Sequence, residues 1–526
     1  MNSTNSFFTQ YYTVMRFNKP FFTTILFFLT GHVLTAQLNI VTTSNGIVAG
    51  YIHNNISIFK GIPFAAPPAG ALRWKAPQPA ADWQGVKQCT AFSASPVQPT
   101  PAPFLCWSEE FIAPPAPLSE DCLYLNVWSG AKTANEKRPV FVWIYGGGFN
   151  SGSAACAIYD GEEMAKRGIV FVSINYRVGP FGFMAHPELT KEQNNASGNY
   201  GLLDQVAALQ WVKKNIAAFG GNPNQVTIGG QSAGSMSVNA LLASPLAKGL
   251  FQGAILESGG LLAGLAPASL QSAEKIGLEL QKKAGASSIS ELRNKSAEEI
   301  LKASQDLGGM RMGLTLDGYA LPVDFMQTFK EGKHNNVPVM MGWVKGDGGL
   351  FGKPDITAEK FIQQAKENYG ANAADYLRVF PAGSDGEAQA SQAKLAILNF
   401  ASLSAYLMAA YNKKPTFIYE GGYVPTDKPG FPNYGAFHTS EVPFALHTLH
   451  LWNRPWKQSD FDVQELMSTY WLQFIKTGNP NGNGLPQWNA YDKAKGTILE
   501  INTTATAKPV LYKNEFELLD KLKAGK

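Results

Sequence analysis

The sequence predicts an α/β fold with a mostly parallel central sheet, and three observations support this prediction. Short apolar runs that are typical of buried strands alternate along the chain with segments of helical periodicity. The chain has 526 residues, of which 45% are hydrophobic and 16% are charged, which is enough for a large core. No low-complexity linker or block of charge divides the chain after Gln37. We therefore expect one domain over residues 37–526, with large insertions.

The expected strands are apolar runs bounded by turn residues. The proline-rich segment 96–117 is predicted to be a long loop, because a strand-like run follows directly at 123–128. Residues 204–219 have the apolar spacing of a helix, and residues 265–335 are more helical and polar, as expected of an insertion at the carboxyl edge of the sheet. Further strands are predicted at 139–144, 170–175, 226–228, 253–256, 337–341 and 416–419.

The N-terminal segment has the pattern of a secretory signal peptide. Arg16 and Lys19 precede an apolar run that begins at Phe21, and Ala36 supplies a small residue for cleavage. A membrane anchor is the alternative, but the apolar run is shorter than the roughly 20 residues that a spanning helix needs. We expect residues 1–36 to be a signal peptide, with Met15 as an alternative start, and the protein to be exported to the periplasm or the extracellular space.

Charge and cysteine content exclude several classes of partner. The 44 basic and 40 acidic residues give a net charge of +4 with no basic run, so a nucleic-acid partner is not expected. Cys89, Cys106, Cys122 and Cys156 form no CxxC motif, and the chain contains no HExxH motif, so neither a metal nor another cofactor is expected. The sequence leaves the oligomeric state open.

The most specific local motif is G-x-S-x-G at residues 230–234, between the strand predicted at 226–228 and a helical run. In this context the serine lies at the tip of a sharp turn, which exposes its hydroxyl and directs the next backbone amide toward the reacting carbonyl. Glycine on both sides removes side chains that would clash. Ser232 is therefore the predicted nucleophile, and the amide of Ala233 is a predicted oxyanion donor.

A serine hydroxyl needs an oxyanion site, a base and an orienting acid. Consecutive glycines after the strand at 139–144 predict that the amides of Gly147 and Gly148 are oxyanion donors. His438 is the predicted base because it follows the strand near residue 418 and comes last in the order serine, acid, histidine.

Asp347, in the loop after the strand at 337–341, is the predicted acid that holds the imidazole tautomer. Two other carboxylates compete for this role. Glu441 is only three residues from His438, and Glu257 precedes the required position in the order.

Several separated segments carry a family resemblance in the right order: FKGIPFAAPPAG at 59–70, SEDCLYLN at 119–126, NYRVG at 175–179, GNYGLLDQ at 198–205, FGGNP at 219–223 and TGNPN at 477–481. They resemble the type-B carboxylesterase family, which comprises α/β-hydrolases such as carboxylesterases, cholinesterases and the non-catalytic neuroligins. The resemblance implies an α/β-hydrolase fold and a serine hydrolase that cleaves carboxylic esters through an acyl-enzyme, with Ser232, His438 and Asp347 as its triad. It implies a small-molecule ester substrate.

The sequence also departs from that family. Gln231 stands where the family usually has Glu, and Asp347 replaces a usual Glu. The usual partner of Cys122 is missing, so Cys106 or Cys89 substitutes for it or no bridge forms. Ile112 stands where cholinesterases have a choline-binding Trp, which argues against a choline ester.

The sequence leaves two alternative functions open. One is a non-catalytic adhesion or binding protein on the same fold, and the other is a hydrolase of amides or thioesters.

The candidates to line a substrate site for an apolar or aromatic group are Trp107, Phe149 and Trp343.

Overall fold

The computed structural model describes residues 38–309, 311–352, 354–510 and 512–524. The signal peptide predicted at residues 1–36, with its alternative start at Met15, lies outside the described residues. Residues 37–526 form one compact unit.

The strands, in chain order, are β1 (Ile40–Thr43), β2 (Gly46–Ala49), β3 (Tyr51–His53), β4 (Ile56–Pro63), β5 (Val86–Gln88), β6 (Ser95–Pro96), β7 (Leu118–Ser119), β8 (Tyr124–Ser129), β9 (Arg138–Ile144), β10 (Val170–Ile174), β11 (Gly221–Gln231), β12 (Gly253–Glu257), β13 (Ala268–Ser269), β14 (Thr315–Leu316), β15 (Val339–Val344), β16 (Thr416–Gly421), β17 (Thr497–Ile501) and β18 (Ala505–Pro509).

The α-helices are α1 (Glu162–Lys166), α2 (Gly179–Phe183), α3 (Pro187–Glu192), α4 (Tyr200–Asn215), α5 (Ala233–Ala243), α6 (Leu270–Lys283), α7 (Ile289–Arg293), α8 (Ala297–Asp306), α9 (Phe325–Lys330), α10 (Ala358–Tyr369), α11 (Ala373–Val379), α12 (Asp385–Ile397), α13 (Leu403–Tyr411), α14 (Val442–Ala445), α15 (Gln458–Thr477) and α16 (Lys513–Ala524).

The main sheet has the strand order β18-β17-β16-β15-β12-β11-β9-β10-β8-β4-β3. Strands β17 to β10 in that order pair parallel, whereas β18 at one edge and β8, β4 and β3 at the other pair antiparallel. The central strands are apolar almost throughout because helices cover both faces of a parallel sheet. The predicted α/β fold with a mostly parallel sheet is confirmed.

Individual elements differ from their predicted bounds mainly at the ends. Strand β15 runs from Val339 to Val344, so it begins and ends later than predicted. It begins after Pro338 because proline has no N–H to donate to a ladder of strand hydrogen bonds. Helix α4 begins at Tyr200, and a 3-10 turn at Ile216–Phe219 continues it to the predicted end. Helices α6 to α9 and the short strand pair β13–β14 occupy the region of the predicted insertion.

Helices α12 and α13 are joined by a π-helical turn, Leu398–Ser402, into one continuous helical run. This run, Asp385–Tyr411, is apolar enough and long enough to cross a membrane by composition alone, but most of its apolar window is buried inside the protein. It therefore has the character of a core helix. It brings the turn containing Phe400 to the carboxyl edge of the sheet, beside His438.

The parallel topology collects the predicted site at one edge. Ser232 follows β11, the glycine run follows β9, Asp347 follows β15, and His438 lies in the loop after β16. Because the carboxyl ends of parallel strands meet at the same edge of a sheet, residues far apart in the chain come together there.

Candidate active site

Ser232 lies at a strained turn between β11 and α5. Its backbone has φ 59° and ψ −123°, outside the conformations that non-glycine residues usually adopt. The turn is tight on both sides: a Cβ on Gly230 would lie 2.6 Å from the carbonyl oxygen of Ile144, and one on Gly234 would lie 2.1 Å from the same atom. Only glycine fits these two positions, and the backbone therefore lifts the Ser232 side chain into a cavity.

Asp347 and His438 form a buried hydrogen-bonded pair. The Nδ1 atom of His438 lies 2.7 Å from Oδ1 of Asp347, and the two residues are 4% and 1% exposed. The backbones of their loops are joined directly, because Gly346 N–H donates to the carbonyl of Ala436 at 2.9 Å. A side chain on Gly346 would lie 2.3 Å from that carbonyl, so this approach requires glycine.

The second oxygen of Asp347 is fixed from its own strand. Oδ2 accepts the backbone N–H of Val344 at 3.1 Å. The carboxylate is thus held at both oxygens, and Nδ1–H of His438 donates to the first one. This arrangement leaves Nε2 as the acceptor nitrogen of the neutral imidazole.

Ser232 and His438 line the same cavity, but the part of the chain that the structure describes contains no hydrogen bond between the Ser232 hydroxyl and the imidazole. The imidazole instead contacts the side chain of Gln231, whose Nε2 lies 3.0 Å from Nε2 and 3.3 Å from Nδ1 of His438. Sequence reasoning noticed Gln231 only as a departure from a family pattern. Nothing in the sequence indicated this contact.

The three residues predicted to supply oxyanion donors, Gly147, Gly148 and Ala233, all line the cavity. Gly147 and Gly148 adopt φ values of +115° and +62°, which favour glycine. Within the described residues, the N–H groups of Gly147 and Gly148 donate to no backbone carbonyl, and Ala233 is the first residue of α5, where a helical N–H has no partner in its own helix. A Cβ on Gly146 would lie 3.0 Å from Cβ of Ser232, which shows how closely this loop packs on the serine turn.

The two competing carboxylates have other partners. Glu441 accepts the Ser258 hydroxyl at 2.6 Å, and Glu257 accepts the Trp471 indole N–H at 2.7 Å. Both are fully buried, and burial raises the pKa of Glu257 to about 8 and the pKa of Glu441 well above its ordinary value. Neither carboxylate is therefore placed or charged to orient His438 as Asp347 does.

A cavity of about 1050 Å³ opens in front of Ser232. Its walls are mostly apolar, and Arg311 is the only lining side chain among the described residues that has a fixed charge. That charge is paired, since Nη1 of Arg311 donates to Glu279 at 2.6 Å. The principal apolar wall residues are Phe104, Leu105, Trp107, Phe111, Ile112, Phe149, Met236, Leu261, Leu265, Met312, Leu314, Leu350 and Phe400.

Two of the three aromatic residues expected at the substrate site line this cavity, Trp107 and Phe149. The expectation for Trp343 is wrong: it is buried in β15, where its indole N–H donates to Glu420 at 3.2 Å. Its position on a fully buried strand accounts for the error, because an aromatic residue in a core strand and one in a pocket have the same local sequence pattern. Ile112 also faces the cavity.

The four cysteines, Cys89, Cys106, Cys122 and Cys156, are all free thiols. The sequence left open a disulfide between Cys122 and either Cys106 or Cys89, or no disulfide, and the structure has no disulfide among these four residues. Among the described residues, no cluster of three or more His, Cys, Asp and Glu side chains forms a possible metal site.

Comparison with known proteins identifies the family of this chain. The model of the carboxylesterase family matches residues 37–519. The chain belongs to the carboxylesterase family. The resemblance recognised in the sequence is thereby confirmed, and this carboxylesterase-family protein is a carboxylic ester hydrolase.

Relatives of this carboxylesterase are themselves esterases. It is 36% identical over 484 residues to fumonisin B1 esterase of Sphingopyxis macrogoltabida, covering 88% of this chain and 86% of the relative. It is also 36% identical over 485 residues to para-nitrobenzyl esterase of Bacillus subtilis (strain 168), covering 89% and 95%.

A solved carboxylesterase of Geobacillus stearothermophilus superposes with a TM-score of 0.78 at 31% identity, covering 91% of this chain and all of that one. A solved PNB esterase superposes with a TM-score of 0.80 at 32% identity, covering 92% and 99%. These likenesses confirm the α/β-hydrolase fold.

Proposed function

We propose that this carboxylesterase acts through Ser232 as nucleophile, His438 as general base and Asp347 as orienting acid, with an acyl-enzyme intermediate. The observation that carries the proposal is the buried 2.7 Å pair of His438 and Asp347 at the wall of the cavity into which Ser232 opens.

In the first half-reaction, Oγ of Ser232 bonds to the ester carbonyl carbon and passes its proton to Nε2 of His438. The amides of Gly147, Gly148 and Ala233 donate to the oxyanion. The ester C–O bond then breaks, and the alcohol leaves with the proton held by His438. Water repeats the sequence on the acyl-enzyme, which releases the acid and restores the Ser232 hydroxyl.

Labelling with a fluorophosphonate probe tests the nucleophile. Wild-type protein is expected to be labelled and Ser232→Ala is not. Ser153→Ala is a matched control, because Ser153 also lines the cavity but its hydroxyl is engaged with Ser95 Oγ at 2.9 Å, so labelling is expected to persist. Equal labelling of Ser232→Ala and wild type would contradict the proposal.

We propose that the substrate is a small ester with an apolar or aromatic group. The supporting observation is the mostly apolar cavity wall, on which the one fixed charge among the described residues, that of Arg311, is already paired. A panel of p-nitrophenyl esters of increasing acyl length, together with matched p-nitroanilide and thioester substrates, is the appropriate test. We expect kcat/KM to rise with acyl length and to be highest for oxygen esters. A higher kcat/KM for the anilide or the thioester would instead indicate an amide or thioester substrate.

The sequence left open a non-catalytic adhesion protein, and no observation on the described residues favours it. Ser232, His438 and an acid that contacts the histidine are all present, as a catalytic protein requires and a non-catalytic one does not. Hydrolysis of p-nitrophenyl acetate by purified protein that is abolished in His438→Ala would exclude the alternative, whereas absence of hydrolysis with every ester tested would favour it.

We propose that the protein is exported with residues 1–36 removed, on the basis of the basic, apolar and small-residue pattern at its N-terminus. N-terminal sequencing of protein recovered outside the cytoplasm of a producing bacterium is expected to begin at Gln37. Full-length protein retained in the cytoplasm would refute export.

A further inference from the structure

Gln231 connects the nucleophile turn with the imidazole. It is the last residue of β11, directly before Ser232, and its side chain is 2% exposed. Its amide nitrogen lies 3.0 Å from Nε2 and 3.3 Å from Nδ1 of His438. An atom in line with the Nε2 lone pair would lie much farther from Nδ1, so the nearly equal distances place the amide against the face of the ring.

The orientation of that amide follows from a chain of hydrogen bonds. The indole N–H of Trp107 lies 3.2 Å from Oγ1 of Thr439, and an indole N–H can only donate. The Thr439 hydroxyl accepts this bond and donates its own hydrogen to Oε1 of Gln231 at 3.3 Å. Because the oxygen is engaged by Thr439, the NH₂ group of Gln231 is the end that faces His438.

Two aromatic rings also pack against the imidazole. Trp107 lies edge-on at a centroid distance of 6.3 Å and Phe400 at 5.2 Å. Among the residues that the structure describes, the charged side chain in contact with His438 is Asp347, at Nδ1. The amide of Gln231 therefore occupies a position beside the ring where a charged group would act on the imidazole strongly, because water is excluded there.

We propose that Gln231 is a positioning residue for His438: its amide packs on the imidazole and keeps Nδ1 directed at Asp347, and because the amide is uncharged it adds no second charge beside the ring. The inference rests on the proposed function, because it takes His438 as the general base. The network also couples the imidazole to Trp107, a wall residue of the substrate cavity, through Thr439.

The native titratable groups near His438 and Asp347 are retained in every variant that tests this proposal. Asp347 contacts His438 directly, and Glu441, Glu257 and Tyr419 lie behind Asp347 on elements packed against it. Burial raises the pKa of all three of these rear groups, so they remain protonated near neutral pH.

The test is the pH dependence of kcat/KM for p-nitrophenyl acetate, which reports ionisations of the free enzyme. Gln231→Glu places a carboxylate against the ring and is expected to move the midpoint of the acidic limb upward by about one pH unit or more. Gln210→Glu is the matched control, because Gln210 is exposed on α4 and the substitution adds the same charge away from the cavity. Its profile is expected to coincide with that of wild type.

Thr439→Val is a second variant that tests the same proposal without adding a charge. It removes the hydroxyl that holds Oε1 of Gln231, so the amide is free to turn its oxygen toward His438. We expect kcat to fall several-fold at unchanged KM and the acidic limb to move in the same direction as in Gln231→Glu, by a smaller amount.

An acidic limb that stays at the wild-type position in an active Gln231→Glu enzyme would overturn the inference. If that variant cannot be purified, a wild-type pH profile for Thr439→Val would overturn it instead. Either result would leave the proposed function intact, since loss of activity in His438→Ala tests that separately.

Discussion

Replacing Asp347 with Asn tests whether the buried hydrogen bond to His438 is the one that catalysis needs. Asn keeps the size of the side chain but removes its charge, and it can present N–H to Nδ1 and select the wrong tautomer of the imidazole. We expect kcat to fall by about 10³-fold to 10⁴-fold with little change in KM.

The structure gives the scale of this effect. At the observed separation of 2.7 Å, a unit-charge pair in a medium of effective dielectric constant about 20 interacts by about 6 kcal/mol. This interaction energy is an upper limit because the carboxylate shares its charge over two oxygens. Since about 1.4 kcal/mol corresponds to a tenfold change in rate, the loss is limited to about four powers of ten.

Glu441→Gln is the matched control. Glu441 is also a buried carboxyl near His438 in sequence, but it accepts from Ser258, and burial raises its pKa so that the group is neutral in the folded protein. Gln imitates that neutral form, so kcat is expected to stay within about tenfold of wild type.

The assay is steady-state hydrolysis of p-nitrophenyl acetate at neutral pH, with active sites counted by fluorophosphonate titration. An Asp347→Asn enzyme that keeps more than about a tenth of wild-type kcat would refute the reasoning, as would a Glu441→Gln enzyme that loses as much as Asp347→Asn.

Three further predictions concern the surroundings of Ser232, His438 and Asp347. Burial raises the pKa of Glu257 from 4.5 to about 8, so the folded protein keeps a proton that the unfolded chain releases, and the unfolding free energy falls as pH rises between these values. We expect the unfolding free energy measured with urea to fall less steeply with rising pH in Glu257→Gln than in wild type. An unchanged pH dependence would contradict the prediction. Gly147→Ala places a Cβ 2.3 Å from the carbonyl oxygen of Ser151 and displaces an oxyanion donor; kcat is expected to fall about 100-fold, and a wild-type kcat would remove Gly147 from the oxyanion site. Phe104 and Leu105 are 56% and 57% exposed at the cavity wall, so replacing both with Ala is expected to raise KM for a long-chain p-nitrophenyl ester and leave acetate hydrolysis unchanged, and equal changes for both esters would refute a role in binding the acyl chain.

Short-range steric requirements account for what could be predicted from the sequence. The serine turn is specified by Gly230 and Gly234, whose missing side chains allow the backbone to approach Ile144. The parallel strands are specified by apolar runs that only a sheet covered on both faces can bury. These features lie within a few residues of one another, so the fold class and the position of Ser232 followed from local pattern, whereas the prediction of His438 followed from its place after a strand and last in the chain order.

Long-range contacts account for what the sequence left open. Asp347, Glu441 and Glu257 were all eligible carboxylates by residue type, and the backbone link between Gly346 and Ala436 is what brings Asp347 rather than the others to Nδ1 of His438. The placement of Gln231 against the imidazole joins residues 207 positions apart.

The sequence by itself therefore predicted the family and the candidate residues for the chemistry, because reactivity and turn geometry belong to residue type and local backbone. Tertiary structure alone decided which carboxylate meets the imidazole, that Trp343 is core while Trp107 is cavity wall, and that an uncharged amide lies on the ring. The physical reason is that burial and pairing depend on how separate loops converge at the sheet edge, and no short stretch of chain contains that information.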